Sequence, residues 1–228
     1  MEPYWVAFGD IHENLDNLTN IPEIAGAQGV LVTGDITFAG GISQAAKVLE
    51  PIIALNPTLY AQIGNMDRSQ ITGWLEDRGW NLHVRSGRLF PGVYAIGVGG
   101  STPTPFNTPS EFSEKQLAAW LEEAHAEAVR ANGGQAPYLV LVSHTPPRDS
   151  ACDKLSSGAS AGSVAVREFI EKHQPALCLC GHIHESVGED HIGNTHVINP
   201  GDLQGGGYVL VRKQGDSVTG ELKTARLP

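Results

Sequence analysis

Five short apolar segments of the chain each end in a residue that can bind a metal ion. The segments begin at Trp5, Val30, Leu59, Tyr138 and Leu177, and each ends in Asp, Asn or His. Two of the end residues are followed by a histidine two positions further on. Carboxylate oxygens and imidazole nitrogens are the usual ligands of catalytic Mn, Fe, Zn and Ni. We therefore predict a metal-dependent enzyme whose ligands are Asp10, His12, Asp35, Asn65, His144, His182 and His184.

The spacing of these residues favours two metal ions. In Asp10-x-His12 and in His182-x-His184 the strand is ending, so both side chains of a pair can turn towards one centre. A carboxylate can bridge two cations, and Asp35 is the candidate for that role. Two neighbouring cations can hold a hydroxide between them, lower its pKa towards neutrality and stabilise an in-line displacement. A single Gly-Asp or Gly-His-x-His would be weak support, but the ordered set predicts a dinuclear centre.

The elements that position these residues are predicted to be buried strands. Apolar runs that are bounded by glycine and separated by helical stretches are typical of an α/β sheet. Ligands of such sheets gather at the carboxyl ends of the strands. Four of the end residues follow a glycine, which permits a sharp turn and a close backbone approach. These glycines are Gly9, Gly34, Gly64 and Gly181.

Five helices and nine or ten strands are expected in all. The helices are predicted at residues 13–26, from Ser43 to about Leu55, after Ser69, after Ser113 up to Gly133, and from Ser163 to His173. Pro22 and Pro51 are expected to disturb the first two of these helices. Further strands are expected at Gly92–Val98, His196–Ile198, Tyr208–Lys213 and Glu221–Ala225. The chain contains no repeat and no obvious linker, which predicts a single domain over residues 1–228.

The composition bears on partners and location. Fifteen basic residues face 25 acidic ones, for a formal net charge of −10. Long nucleic acids are gripped by many Lys and Arg side chains, so a small anionic substrate fits better. No apolar run is long enough to cross a membrane, and no secretory signal is visible. Three cysteines, an odd number, fit buried thiols in a reducing compartment, so we expect a cytoplasmic protein, with a homo-oligomer as an open alternative.

Two loops and the remaining histidines complete the prediction. Residues 101–109 contain three prolines and are expected to form an extended loop that borders the site. Residues 148–163, which follow His144, are expected to form a mobile lip. Of the five other histidines, which are interpreted as structural, His83 is the first candidate to reach the cleft. The other four are His125, His173, His191 and His196.

The ordered motifs resemble those of the calcineurin-like metallophosphoesterases. They are Gly-Asp10-x-His12, Gly-Asp35, Gly-Asn65-x-Asp67, His144 and Gly-His182-x-His184. The resemblance extends to Asn199-Pro-Gly, near residue 201. It implies two packed mixed β-sheets flanked by helices, a four-layer αββα sandwich. It further implies that Asp10, His12 and His184 hold one metal, that Asn65, His144 and His182 hold the other, and that Asp35 bridges them.

The resemblance also assigns residues to the reaction. Catalytic roles fall to Asp35, Asn65, His144 and His184, and Asn65 also contacts the substrate. Arg68 follows the third motif and is a candidate for a phosphate contact, although a solvated turn residue is an equal alternative. The two divalent ions could be Mn, Fe, Ni, Zn or Mg, since these ligands suit several metals.

One position departs from the family pattern. The usual block reads Gly-Asn-His-Asp or Gly-Asn-His-Glu, whereas this chain has Met66 in place of the histidine. That histidine is thought to protonate the leaving group, and a thioether cannot donate a proton. Losing a general acid typically costs about 10²–10⁴-fold in rate. We therefore predict a hydrolase of small phosphodiesters with good leaving groups, which acts through a metal-bridging hydroxide; the alternatives are a phosphomonoesterase or a catalytically weak metal-binding or partner-binding scaffold.

Overall fold

The computed structural model describes residues 2–215 and 217–225 of the chain. Within these ranges the chain forms eleven strands, four α-helices and four short 3₁₀ helices. The strands are β1 (Tyr4–Phe8), β2 (Gly29–Val32), β3 (Leu59–Ala61), β4 (Ser86–Phe90), β5 (Val93–Val98), β6 (Tyr138–Ser143), β7 (Leu177–Leu179), β8 (Gly188–Ile192), β9 (Thr195–Asn199), β10 (Gly207–Gln214) and β11 (Ser217–Thr224). The α-helices are α1 (Ile42–Leu55), α2 (Gln70–Glu76), α3 (Glu114–Ala131) and α4 (Val164–His173).

The strands form two mixed sheets. The first sheet has the order β11-β10-β1-β2-β3. Its strands β1, β2 and β3 are parallel, and β10 pairs antiparallel with both β1 and β11. The second sheet has the order β4-β5-β6-β7-β9-β8, with β5, β6, β7 and β9 parallel and an antiparallel strand at each edge. Parallel strands point their carboxyl ends the same way, so each sheet collects its strand ends at one edge.

Apolar side chains fill three layers around the sheets. In β1, Trp5 and Ala7 face the second sheet, whereas Val6 and Phe8 face the helices α1 and α2. The opposite face of the second sheet packs against α3 and α4. Strands that are buried on both faces need apolar residues at every position, which explains the continuous apolar runs. The four-layer sandwich with helices outside is therefore confirmed.

The helix predicted at residues 13–26 is wrong. The segment contains only two 3₁₀ helices, Leu18–Asn20 and Ile24–Gly26. Asparagine side chains compete with helical hydrogen bonds here, since Asn14 Oδ1 accepts from the Asp16 amide at 2.9 Å and Asn17 Nδ2 donates to the Gln204 carbonyl at 2.6 Å. Leu18 and Ile21 of this segment are nevertheless buried.

The other four helices are present, although their caps differ. The first, α1, begins one residue before Ser43, and Gln44 Oε1 accepts from the Gly41 amide at 3.1 Å. It continues through Pro51, where we expected a disturbance. Ser69 does not cap α2 with its side chain, whereas Ser113 and Ser163 each accept a backbone amide at the start of α3 and α4.

The four further strands are confirmed as β5, β9, β10 and β11, and two edge strands were missed. These are β4 (Ser86–Phe90) and β8 (Gly188–Ile192), which pair antiparallel with their neighbours. In β8 only Ile192 is buried and the other four residues are partly or fully exposed, so no apolar run marks the strand. Within the described ranges, none of the helices combines the length and hydropathy needed to cross a bilayer.

Candidate metal centre

All seven predicted ligands meet at the carboxyl ends of the parallel strands. Asp10, Asp35 and Asn65 follow β1, β2 and β3 of the first sheet, whereas His144 and His182 follow β6 and β7 of the second. The two remaining ligands, His12 and His184, lie on the loops that continue from Asp10 and His182. The two sheets therefore contribute to one site, as the strand-end pattern predicts.

Three of the side chains form a first group around the Asp10 carboxylate. His184 Nε2 lies 3.1 Å and His12 Nε2 lies 3.8 Å from Asp10 Oδ1. The two imidazole nitrogens are 3.3 Å apart. Donor atoms this close leave room for a single cation between them. The His12 and His184 side chains are 20% and 38% exposed, so solvent reaches this group.

A second group forms around the side-chain oxygen of Asn65. This oxygen lies 2.7 Å from His182 Nδ1 and 3.0 Å from His144 Nε2. His144 is fully buried and Asn65 nearly so. The second group is therefore the inner one.

Asp35 stands between the two groups. Its Oδ2 lies 3.6 Å from His12 Nε2 in the first group and 3.4 Å from His144 Nε2 in the second. Asp10, Asp35 and His144 also offer ligand atoms that all lie within 4.8 Å of one another. A carboxylate in this position could bridge two cations.

The loops that carry these ligands adopt a backbone conformation that L-residues rarely use. The φ angles of Asp10, His12, Asp35 and His182 are +47°, +47°, +49° and +67°. Such a conformation costs about 1–3 kcal/mol per residue and persists only where the surroundings impose it. Here the loop after β1 is hydrogen-bonded to the loop after β2, since the Ile11 and His12 amides both donate to the Asp35 carbonyl, at 2.8 and 3.0 Å.

The glycines before the ligands serve close approach more than turning. Among the four, Gly34 alone has a left-handed φ, +124°, and the turns are made by the ligands themselves. A Cβ atom added at Gly64 would collide with the Asp35 carboxylate, and one at Gly181 would collide with Asp10. The expected close backbone approach is confirmed at these positions.

No role was predicted for Asp67, which anchors the loops of the first sheet. Its buried carboxylate accepts the amides of Ile36, Thr37 and Gly64 at 2.7–2.9 Å, and also the Thr37 hydroxyl at 2.8 Å. Burial and the neighbouring Asp35 carboxylate raise the pKa of Asp67 to about 6. The position of Asp67 in the third motif was the available signal.

Two more residues support ligands from behind. The Asn65 amide nitrogen donates to Thr108 Oγ1 at 3.1 Å, and the Thr108 hydroxyl donates to Glu111 Oε1 at 2.7 Å. This series of hydrogen bonds orients the Asn65 oxygen towards His144 and His182. Asp202 Oδ2 lies 3.8 Å from the other ring nitrogen of His184. Carboxylates and hydroxyls behind a ligand fix its orientation and tune its basicity.

The charges of the cluster show what kind of ligand it suits. Burial disfavours the charged form of Asp10, but the His184 hydrogen bond and the nearby histidines outweigh it and lower the pKa of Asp10 to about 2. Burial likewise opposes protonation of His144, yet Asp35 raises the pKa of His144 to about 9. For His182, burial and the His144 charge lower the pKa to about 4. A positive charge between the buried carboxylates is thus stabilising, and the nitrogen and oxygen donors fit a divalent cation.

Three further residues that the sequence analysis discussed lie outside the two ligand groups. The exposed Arg68 donates from Nε to the Ala39 carbonyl at 3.0 Å rather than to a ligand side chain. The Met66 amide donates to Asp35 Oδ1 at 2.7 Å. His83 is buried: its Nδ1 accepts the Gly99 amide at 2.9 Å and its ring packs against Trp120, so the structural interpretation holds.

Both loops that were expected near the site reach it. Residues 101–109 contact Asn65 through Thr108. Residues 148–163 come close to His184, because the Ser156 amide donates to the Glu185 carboxylate at 3.0 Å. Asp153 accepts the amides of Asp149 and Gly162 at 2.9 and 3.1 Å, which ties the second loop together. The predicted mobility of this loop stays a prediction.

Comparison with known proteins agrees with this geometry. Residues 6–186 match the family model of the calcineurin-like phosphoesterases. An uncharacterised protein of Methanocaldococcus jannaschii is 32% identical over 179 residues, which cover 75% of this chain and 76% of that protein. The chain therefore belongs to the calcineurin-like phosphoesterase family.

Solved structures show the same fold. A protein of Thermus thermophilus superposes with a TM-score of 0.69 at 20% identity, covering 99% of this chain and 100% of that one. The purple acid phosphatase of yellow lupin seeds gives 0.63 at 11% identity, covering 99% of this chain and 52% of the phosphatase. The anchor protein of the inner membrane complex of Plasmodium gives 0.65 at 11% identity, covering 99% and 85%. Membership in this family supports a metal-dependent phosphoester hydrolase that acts on small substrates.

Proposed function

We propose that this protein hydrolyses small phosphodiesters with a dinuclear metal centre. The observation that carries the proposal is the convergence of seven nitrogen and oxygen donors in two groups that share Asp35. Asp10, His12 and His184 would hold the outer ion, Asn65, His144 and His182 would hold the inner ion, and Asp35 would serve both. When bound, such ions supply a nucleophile of lowered pKa and positive charge for the phosphoryl oxygens.

The protein's own residues determine how a substrate enters. Because His12 and His184 are partly exposed while His144 and Asp35 are buried, a phosphate group reaches the outer side first. The Asn65 side chain and the exposed Arg68 lie on the same loop and would contact the phosphate oxygens. Met66 stands at the sequence position of the family's proton donor, and its thioether has no proton to give. Substrates whose leaving groups depart without protonation are therefore favoured, which supports diesters with acidic leaving groups.

The substrate proposal is tested with a panel on metal-stripped protein. Bis-p-nitrophenyl phosphate, p-nitrophenyl phosphate, linear diesters and cyclic nucleotides are compared with Mn, Ni, Zn and Mg added singly. We expect the diester rate to exceed the monoester rate with at least one metal, and propose Mn as that metal. A monoester rate above the diester rate would identify a phosphomonoesterase instead.

Two variants connect the activity to named residues. Asp35→Asn should reduce turnover to background because the shared ligand loses its charge, while circular dichroism and the unfolding midpoint stay close to wild type. The surface substitution Asp77→Asn is the matched control. Met66→His should raise the rate on poor leaving groups by about 10²-fold, since it supplies a general acid. Full activity of Asp35→Asn would disprove the bridging assignment.

A catalytically weak scaffold is the second candidate function. Met66 favours it, and the fold also occurs in a protein described as the anchor of a membrane complex. Metal binding by the wild-type chain with no turnover of any ester in the panel would establish this alternative.

The location of the protein is a separate proposal. Cys152, Cys178 and Cys180 are buried free thiols, which supports the proposed cytoplasmic location.

A further inference from the structure

A second group of potential metal ligands lies on the helices that cover the second sheet. Glu122 and His125 are on α3, and His173 is the last residue of α4. His173 Nε2 lies 3.0 Å from Glu122 Oε1, and the two imidazole rings have centroids 4.2 Å apart. The three residues offer ligand atoms that all lie within 4.8 Å of one another. Spacing by three residues places Glu122 and His125 on one face of α3, towards α4.

We propose that Glu122, His125 and His173 bind one transition-metal ion, such as Zn²⁺, independently of the dinuclear centre. Two imidazoles and one carboxylate form a ligand set that leaves a fourth position to water. The Glu122 side chain is 45% exposed, so solvent reaches this fourth position. The site needs neither the dinuclear centre nor the phosphoesterase activity.

The protonation state of His125 suits metal coordination. Burial and the neighbouring His173 lower the pKa of His125, which keeps its imidazole neutral and able to coordinate at neutral pH. Lys172 Nζ lies 2.7 Å from Glu122 Oε1 and competes for the carboxylate. Its side chain is 64% exposed, so it can swing into water when a metal binds.

The proposed ion would connect two helices at the end of the sheet opposite to the dinuclear centre. Since β6 and β7 are parallel, α4 returns the chain to their amino ends, and His173 lies four residues before β7 begins. His144 and His182 lie at the carboxyl ends. Metal that binds the folded state and joins α3 to α4 raises the stability of the protein.

The chain also provides a control cluster of similar composition. His191 and His196 have parallel rings with centroids 4.7 Å apart, and His196 Nε2 lies 3.4 Å from Glu189. Among the described residues, these side chains do not form a group of three whose ligand atoms all lie within 4.8 Å. The two clusters thus differ in convergence rather than in residue type.

The test counts zinc per chain. Wild type, His125→Gln, His173→Gln and the control His196→Gln are saturated with Zn²⁺, passed through a desalting column and measured by mass spectrometry of the metal. We expect the first two variants to hold one zinc fewer than wild type and the control to hold the same number. Phosphodiester hydrolysis should be unchanged in all three.

A second measurement does not depend on variants. In wild-type protein, the imidazole ¹⁵N resonances of His125 and His173 should shift together on addition of the last equivalent of Zn²⁺, while those of His191 stay in place. Equal zinc contents in all four proteins, or unshifted His125 and His173 resonances at saturation, would overturn the proposal.

Discussion

The two sheets contribute different chemistry to the dinuclear site. The first sheet supplies all of the oxygen donors, from Asp10, Asp35 and Asn65, whereas the second supplies only nitrogen donors, from His144, His182 and His184. Charge is therefore concentrated at the edge of one sheet. The other edge supplies imidazoles, which can bind a metal ion only when they are deprotonated.

The supports behind the ligands differ in the same way. On the first sheet the buried Asp67 carboxylate accepts four hydrogen bonds from two loops. On the second sheet the imidazole of His83 accepts one bond, from the Gly99 amide, and otherwise packs against aromatic rings. The carbonyl of Gly100 accepts the Thr145 hydroxyl beside His144. The comparison indicates that an ionic anchor holds one edge and that a neutral anchor holds the other.

Removing the ionic anchor should have the largest effect. In Asp67→Asn one oxygen becomes an NH₂ group, which faces backbone donors that it cannot accept. Unsatisfied buried donors and the lost charge-assisted bonds together cost about 4 kcal/mol. We expect that loss in the free energy of unfolding by denaturant titration, together with weaker Mn binding in calorimetry.

The control for this prediction is Asp77→Asn, the same change at an exposed position, which should stay within about 0.5 kcal/mol of wild type. If Asp67→Asn were as stable as this control, the four hydrogen bonds would contribute nothing net, and the contrast between the two edges would disappear.

The neutral anchor should reveal itself through pH. Burial lowers the pKa of His83 from 6.5 to about 4, so the unfolded chain takes up a proton at a higher pH than the folded protein does. The neutral His83 therefore leaves the folded protein at its full stability above pH 6.5, and the free energy of unfolding decreases as the pH falls from 6.5 to 4. A shift of this size corresponds to about 3 kcal/mol.

His83→Asn separates this effect from packing. The Asn oxygen can still accept the Gly99 amide but does not titrate. We expect lower stability at pH 7, because the ring is lost, and a smaller decline between pH 6.5 and 4 than in wild type, measured by urea unfolding. His191→Asn, at an exposed position, is the control and should keep the wild-type decline. An unchanged decline in His83→Asn would show that other groups account for the acid sensitivity.

The sequence predicted which side chains converge at the strand ends better than it predicted the elements around them. Strand-end residues such as Asp35 and His144 could be identified because buried parallel strands leave long apolar runs that stop at a polar residue. The edge strand β8 leaves no such run, since its side chains alternate between solvent and protein. Residues 13–26 do not form the expected α-helix, because their asparagine side chains make hydrogen bonds that favour turns.

The supports of the ligands were out of reach for a related reason. Their roles depend on contacts between residues far apart in the chain: Asp67 accepts from Ile36 and Thr37, and Thr108 accepts from Asn65. Periodicity reports which face a residue occupies, but not which loop lies opposite. The left-handed φ of Asp10 and Asp35 is likewise imposed by bonds between two loops rather than by either local sequence.

The smallest predicted effect concerns the link between the two edges. Thr108 lies on the loop after β5 of the second sheet and accepts from Asn65, which follows β3 of the first. Thr108→Val keeps the shape but leaves the Asn65 amide without its partner, so the oxygen is no longer held towards His144 and His182. Supports of this kind are typically worth about tenfold or more in metal affinity, or roughly 1.4 kcal/mol. We expect weaker Mn binding in calorimetry for Thr108→Val, with wild-type affinity restored in Thr108→Ser. Equal loss in both variants would assign the effect to loop packing rather than to the hydroxyl.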